Sequence, residues 1–214
     1  MAKLYFIYGP MSSSKSAQLL MNAYSFEERG IPFLCIKPSI DNRDGDGVIS
    51  SRAGMSRECV SIDTDIDVFE FMKNYIDKVS FAGLDKPKWV LVDESQFLTS
   101  KQVYELSDVV DYLDINVICY GLRTDFLCRM FDGSKTLMEI ADDINELKVS
   151  CKCGRKAVVN ARIDSDGNVV VDGDRIVIGG NDMYMSVCRK CYKEMAAKAN
   201  GNCDRNEYVE LDVN

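Results

Sequence analysis

Not one of the 214 residues is a histidine. That removes the side chain whose ordinary pKa lies closest to neutrality, so a general base must be a carboxylate or a more strongly perturbed group. It also restricts any zinc site to thiolates and carboxylates, and the usual histidine-built catalytic zinc sets are excluded. No apolar run approaches the roughly 18–20 residues of a membrane span, and the first residues lack the charged-then-apolar layout of a signal peptide. The expected location is therefore the cytoplasm, with no membrane as partner. Positive charge is also short: 26 Lys and Arg stand against 34 Asp and Glu, a net charge of −8. That balance opposes attraction to a phosphate backbone, so a nucleic-acid polymer is not expected as a partner.

What is present is a 46% hydrophobic chain long enough to bury a substantial core, in one lobe or two. Its organising stretch is LYFIYGPMSSSKS, residues 4–16. Leu4 to Tyr8 form a short continuous apolar run, as in a strand buried on both faces of a parallel sheet. Ala17, Leu20, Met21 and Tyr24 then recur at helical spacing, closed by Gly30. Between strand and helix, Gly9, Pro10, Met11, Ser12, Ser13, Ser14, Lys15 and Ser16 follow the spacing G-x-x-x-x-G-K-[ST]. In such a loop backbone N–H groups cradle phosphates, the lysine reaches the terminal ones and the hydroxyl holds magnesium. Ser14 stands where the second glycine belongs, and a positive φ there costs about 1–2 kcal/mol. The plainer alternative is a serine-rich helix cap.

Phe33 to Ile36, ended by Pro38, reads as the next strand of a right-handed β-α-β unit. The polar loop DNRDGDG follows at 41–47, with Arg52 and Arg57 beyond it; its arginines suit either a phosphoryl group or plain solvent. Ile66 to Val79 has helical spacing, and Trp89 to Val92 is a buried strand ending in Asp93 and Glu94. A carboxylate at that place is how a P-loop enzyme faces its magnesium, although two acids also suit an ordinary turn into a helix. Thr99 and Ser100 introduce a helix containing Val103, Leu106, Val110 and Leu113. Val117 to Cys119 is a strand, and Leu122, Phe126 and Phe131 after it suit either a flat ligand or core packing. Residues 134–145 read as one more helix.

The character changes near residue 149. Cys151 and Cys153 form one pair and Cys188 and Cys191 another, among nine cysteines in all. Four thiolates make a closed tetrahedral zinc set, structural rather than catalytic; unpaired thiols are the alternative. Ala157 to Ile163 and Val169 to Val171 flank Asp164 to Asn168 as a hairpin. Beyond Tyr192 the sequence reads as a short helix running into a polar, disordered tail.

Together GPMSSSKS, DNR, VDESQF, YGLRTDF, and IGGNDMY before SVCRKC resemble type II thymidine kinases, over about residues 1–194 and in the right order. The resemblance implies an α/β fold, a P-loop NTPase-like parallel sheet flanked by helices, with a small zinc-binding lasso domain. The expected divisions are 1–148 for the nucleotide-binding domain, 149–194 for the zinc and lasso domain, and 195–214 for a helix end and tail. It implies transfer of the ATP γ-phosphate to the 5′-hydroxyl of thymidine, with deoxyuridine as a second substrate, and ATP, Mg2+ and structural Zn2+ as cofactors. Glu94 would be the base, Lys15 and Arg43 would stabilise charge, and Asp93 and Asp41 would serve the magnesium and phosphate side. Met11, Phe97, Leu122, Phe126, Phe131, Val177, Ile178, Gly179 and Tyr184 would contact the nucleoside, the last four on or beside the lasso loop. Family members are typically homotetramers inhibited by thymidine triphosphate. The rival reading is a P-loop ATPase whose zinc lobe binds nucleic acid or protein, against which the acidic balance counts. A catalytically dead nucleotide binder, motivated by Ser14, is a second.

Overall fold

The computed structural model describes residues 1–41, 45–173 and 183–199. Six strands form a parallel sheet in the order β5-β2-β6-β7-β1-β8. They are β1 (Leu4–Tyr8), β2 (Phe33–Pro38), β5 (Val60–Ile62), β6 (Trp89–Val92), β7 (Asn116–Gly121) and β8 (Asp143–Glu146). A short antiparallel ribbon, β3 (Val48–Ser50) with β4 (Ser56–Glu58), stands beside it. The helices are α1 (Lys15–Glu28), α2 (Val68–Phe81), α3 (Ser100–Leu113), α4 (Asp132–Ile140) and α5 (Arg189–Ala199).

Strand alternation sorts the core into two layers. Leu4, Phe6, Ile36, Val90, Val92, Val117 and Cys119 face one way and pack with Val68 and Met72 of α2, Val103, Leu106 and Val109 of α3, and Leu137 of α4. Cys35, Leu91, Ile118 and Tyr120 face the other way, onto Leu19, Leu20 and Ala23 of α1 and Ile49 of β3. Both faces are covered, which is why these strands read as unbroken apolar runs. Because β1, β6 and β7 are neighbours and run the same way, the loops leaving their C-terminal ends converge on one edge.

The helix starts follow local chemistry. Asp67 caps α2 by accepting from the Glu70 N–H, and Thr99 caps α3 in a capping box with Gln102. The helix expected over 134–145 is shorter: it ends at Ile140, and Asp143–Glu146 pair with Tyr5–Tyr8 as the edge strand β8. Asp142 drives the switch, its N–H donating to Leu4 O at 2.9 Å and its Oδ2 accepting from Leu4 N at 2.8 Å. The flank of β1 needs these partners more than the helix needs another turn.

The remaining chain forms a separate small core of Cys151, Ala157, Val159, Ala161, Val169, Val187 and Cys188. Its ribbon is β9 (Val159–Arg162) antiparallel to β10 (Tyr184–Val187). The expected hairpin between 157–163 and 169–171 is reduced to a single Ile163 to Val169 bridge around the Asp164 turn. The main partner of β9 arrives from beyond the loop instead. The final helix starts at Arg189, before Tyr192, and so carries Cys191; the tail from 200 lies outside the described residues.

Between β6 and α3 a 3-10 turn, Ser95–Phe97, passes directly under Gly133 at the start of α4. A Cβ on Gly133 would lie 2.6 Å from Leu98 O and 2.7 Å from Ser95 O, both backbone atoms. Gly133→Ala is therefore expected to destabilise by about 1–3 kcal/mol despite alanine's better helix propensity. Chemical denaturation measures this directly, and an unshifted midpoint would mean that the turn gives way without cost.

Candidate active site

The loop leaving β1 is tightly constrained. Gly9 N donates to Gly121 O at 3.3 Å, and a Cβ at residue 9 would lie 2.7 Å from Leu147 O, so only glycine fits there. Ser12 and Ser14 both have φ of 62°, in the left-handed region. Ser14 immediately precedes α1 and supplies its first carbonyl, accepting from Gln18 N at 2.9 Å. The missing glycine thus falls where glycine would be most at ease, and serine holds the strained conformation instead. Lys15 is buried inside the curl. Its Nζ donates to Pro10 O at 2.9 Å, Gly9 O at 3.2 Å and Ser13 Oγ at 3.3 Å. Arg52, from the loop after β3, reaches across to Ser12 Oγ at 3.1 Å.

Across the cleft, Asp93 extends β6 by donating its N–H to Ile36 O. Glu94 then turns the chain with φ 49° and ψ 38°, so the two neighbouring carboxylates are handed to different surroundings. Burial, reinforced by the charge of Glu94, pushes Asp93 up to about 7, against the opposing pull of the Ser16 hydroxyl and Lys15. Its Oδ1 is buried without a hydrogen-bond partner among the described residues. A buried, unsatisfied acceptor beside a serine hydroxyl suits a hard cation, which takes oxygen ligands and would favour the ionised carboxylate. Gln96, 2% exposed, holds Glu94: its Nε2 donates to the Glu94 carboxylate while its Oε1 accepts from Leu122 N at 2.9 Å.

These groups share a cleft of about 310 Å³. Met11, Ser12 to Ser16, Asp41, Asp93 and Glu94 line it, as do Phe97, Leu122, Phe126, Phe131 and Tyr184. Its apolar end is an aromatic corner, with Phe97 and Phe131 packed edge to face at 5.7 Å. A polar end with cation and carboxylates and an apolar end with rings is the layout for a ligand that is charged at one extremity and flat at the other. Gly9 and Pro10 back the loop and line a neighbouring pocket of about 10 Å³ instead. Arg43, Val177, Ile178 and Gly179 lie outside the described residues.

Sequence reading passed over Gln96, Asn160 and Lys37, all of which line the cleft. Lys37 is 2% exposed and donates to Gly45 O at 3.0 Å and Val48 O at 2.8 Å, tying down the far side of the loop that contains Asp41. A charged residue at the end of an apolar strand was the available signal for it. Asn160 carried none, because its role depends on a contact with the first loop.

In the small lobe the Sγ atoms of Cys151, Cys153, Cys188 and Cys191 all lie within 4.8 Å of one another. The Cys191 N–H donates to Cys188 Sγ at 3.5 Å, and the Cys153 and Cys188 sulfurs are 3.5 Å apart. Hydrogen bonds from the Cys153 and Cys188 amides draw Cys151 down to about 6, whereas sharing hydrogen bonds with its neighbours pushes Cys191 up to about 12. Four clustered thiols with amide donors aimed at sulfur could hold a divalent metal and leave no position for water. The short C-x-C spacing is absorbed by a turn in which Gly154, at φ 83°, donates to Cys151 O at 2.8 Å.

A family model described as thymidine kinase matches residues 2–192. Among curated proteins, the thymidine kinase of Mannheimia succiniciproducens is 46% identical over 198 residues, covering 92% of this chain and 98% of that protein. That of Haemophilus influenzae is 46% identical over 194 residues, 91% and 97% of the two chains. That of Pasteurella multocida is 47% identical over 197 residues, 92% and 100%.

The left-handed Ser14 makes a direct test. Ser14→Gly removes the steric penalty but loosens the unfolded chain, so stability should be unchanged or rise by up to about 1 kcal/mol. Ser14→Val, β-branched at the same φ, should lose about 1–2 kcal/mol. Denaturant unfolding of both variants checks the order; equal stability would mean that the loop relaxes away from this conformation.

Proposed function

The chain belongs to the thymidine kinase family, and on that premise we propose how its cleft carries out the reaction and which residues take part. The protein is an ATP-dependent kinase that phosphorylates thymidine. In the proposed arrangement the phosphates of ATP lie along residues 9–16, and Lys15 exchanges its bonds to loop carbonyls for phosphate oxygens. The nucleoside enters the aromatic end, against Phe97, Leu122, Phe126, Phe131, Met11 and Tyr184. The 5′-hydroxyl oxygen attacks the γ-phosphorus, the bond to the β-phosphate oxygen breaks, and the hydroxyl proton passes to a Glu94 carboxylate oxygen. ADP and thymidine monophosphate leave. The transferred group is largely dissociated at the transition state, so positioning and charge stabilisation dominate, with Arg43 assigned to the phosphates alongside Lys15.

The observation that carries this assignment is the shared cleft: a phosphate-type loop and a Glu94 held by Gln96 face an aromatic corner within about 310 Å³. Asp93 and Ser16 are the residues assigned to Mg2+, supported by the buried unpartnered Oδ1 of Asp93, and Asp41 is assigned to the loop that closes on the phosphates. When bound, the ion would neutralise phosphate charge. The four cysteines are assigned to a structural Zn2+, in a small domain beginning near residue 149 with the loop containing Val177, Ile178 and Gly179 between its two ligand pairs. A homotetramer and inhibition by thymidine triphosphate belong to the same reading and rest on the sequence resemblance, while a cytoplasmic location rests on the sequence pattern. Among the described residues no helix is long and apolar enough to cross a membrane.

Glu94→Gln keeps size and polarity but removes the base, so thymidine should still bind while kcat falls by about 10²–10⁴-fold. Asp93→Asn should instead lose activity that partly returns at high magnesium. A magnesium series of kcat for both variants separates the roles, and rescue of Glu94→Gln by magnesium would reject Glu94 as the base.

Metal analysis of protein purified without chelator should find one zinc per chain, reduced in Cys151→Ser. A metal-free protein with an intact fold would remove the zinc assignment.

A further inference from the structure

The phosphate-type loop is not completed by the sheet that carries it. Both backbone groups of Met11 are taken by the small lobe: the Met11 N–H donates to Asn160 Oδ1 at 2.7 Å, and Ser186 Oγ donates to Met11 O at 2.6 Å. Asn160 and Ser186 are directly opposite each other in the β9–β10 ribbon. Asn160 is 4% exposed, and its Nδ2 donates onward to Thr124 O at 3.4 Å, so the amide has a single supported orientation. The clamp grips the loop one residue before Ser12, the first of its two left-handed serines.

Left-handed non-glycine residues persist only where the surroundings over-determine them. Here the restraints at the start of the loop include Gly9 wedged against Leu147 O and bonded to Gly121 O, Lys15 on the carbonyls of Gly9 and Pro10, Arg52 on Ser12, and, from the small lobe, the two bonds to Met11. We propose that Asn160 and Ser186 are positioning residues for ATP, fixing the peptide units of Met11 so that the N–H groups of residues 12–16 point into the phosphate site. They act through the loop and need not touch the nucleotide. The proposal rests on the reading of residues 9–16 as the ATP site. It adds that the lobe assigned to the nucleoside also sets the affinity for the phosphate donor.

The test is binding of Mg·ATP without nucleoside, with zinc content and circular dichroism measured on the same preparations. Ser186→Ala leaves the Met11 carbonyl without its donor and should raise the ATP dissociation constant by about five- to thirtyfold, with zinc content and circular dichroism as in the parent. Ser186→Thr keeps the hydroxyl on a strand that favours β-branched residues and should restore ATP affinity. Asn160→Ala should act in the same direction as Ser186→Ala. Unchanged ATP affinity in Ser186→Ala overturns the proposal, as does a loss of zinc or of secondary structure in proportion to the ATP effect, which would mark a purely structural role. Lys15→Ala separates this failure from failure of the underlying reading: parent protein that binds no ATP, or binds it equally well without Lys15, would reject the ATP site itself.

Discussion

The site depends on two adjacent carboxylates at the end of a buried strand. Placed side by side in a low-dielectric edge, Asp93 and Glu94 would repel, and the protein separates their environments rather than the residues. The left-handed turn at Glu94 does this, sending one carboxylate towards Ser16 and Lys15 and the other to Gln96. Gln96 in turn accepts from Leu122 N, so the position of Glu94 is referred to the wall beside the aromatic corner. The 3-10 turn that carries Gln96 can lie this close only because Gly121 and Gly133 lack side chains: a Cβ at Gly121 would stand 2.6 Å from Ser95 Oγ. Two glycines therefore set the position of an acid.

The sheet order brings the remaining parts together. The loop of residues 9–16 leaves β1, the acids leave β6, and Gly121 and Leu122 leave β7, three adjacent strands whose C-terminal ends share one edge. Lys37, at the end of β2, adds a buried cation that holds the following loop by its carbonyls. The small lobe has its own core and its own cluster of cysteines. It nevertheless reaches the main sheet through Met11 and through Tyr192, whose hydroxyl donates to Phe126 O at 3.2 Å. The cleft wall at Phe126 and the loop of residues 9–16 are thus tied to the same small lobe.

What could be read from the sequence was whatever chemistry is confined to neighbours in the chain. The apolar run before Gly9, the spacing to Lys15 and Ser16, the Asp-Glu pair after β6, and the cysteine pairs all follow this rule. So does the cost at Ser14, where the positive φ anticipated for a glycine position is present. The errors share a different cause. Residues 143–146 keep a helix-compatible pattern yet become a strand because β1 offers an open edge. The partner of β9 is chosen by contacts across the loop preceding β10, not by the turn sequence Asp164 to Asn168. Asn160, Ser186 and Gln96 looked like ordinary polar residues, since nothing local distinguishes a buried amide that orients a loop from one that faces water.

The Met11 clamp also has a temporal side. Its two hydrogen bonds span 149 and 175 positions along the chain, so the segment made earliest acquires its final restraints from one made near the end. At synthesis rates of 5–20 residues per second, about 9–35 s separate the appearance of Met11 from that of Ser186. Central strand β1 waits in a similar way, for β7 and then β8. Until Asn160 is made the Met11 N–H lacks its acceptor, and until Ser186 is made the Met11 carbonyl lacks its donor. The order of synthesis thus places completion of a loop near the start of the sequence among the last steps by which the chain can fold.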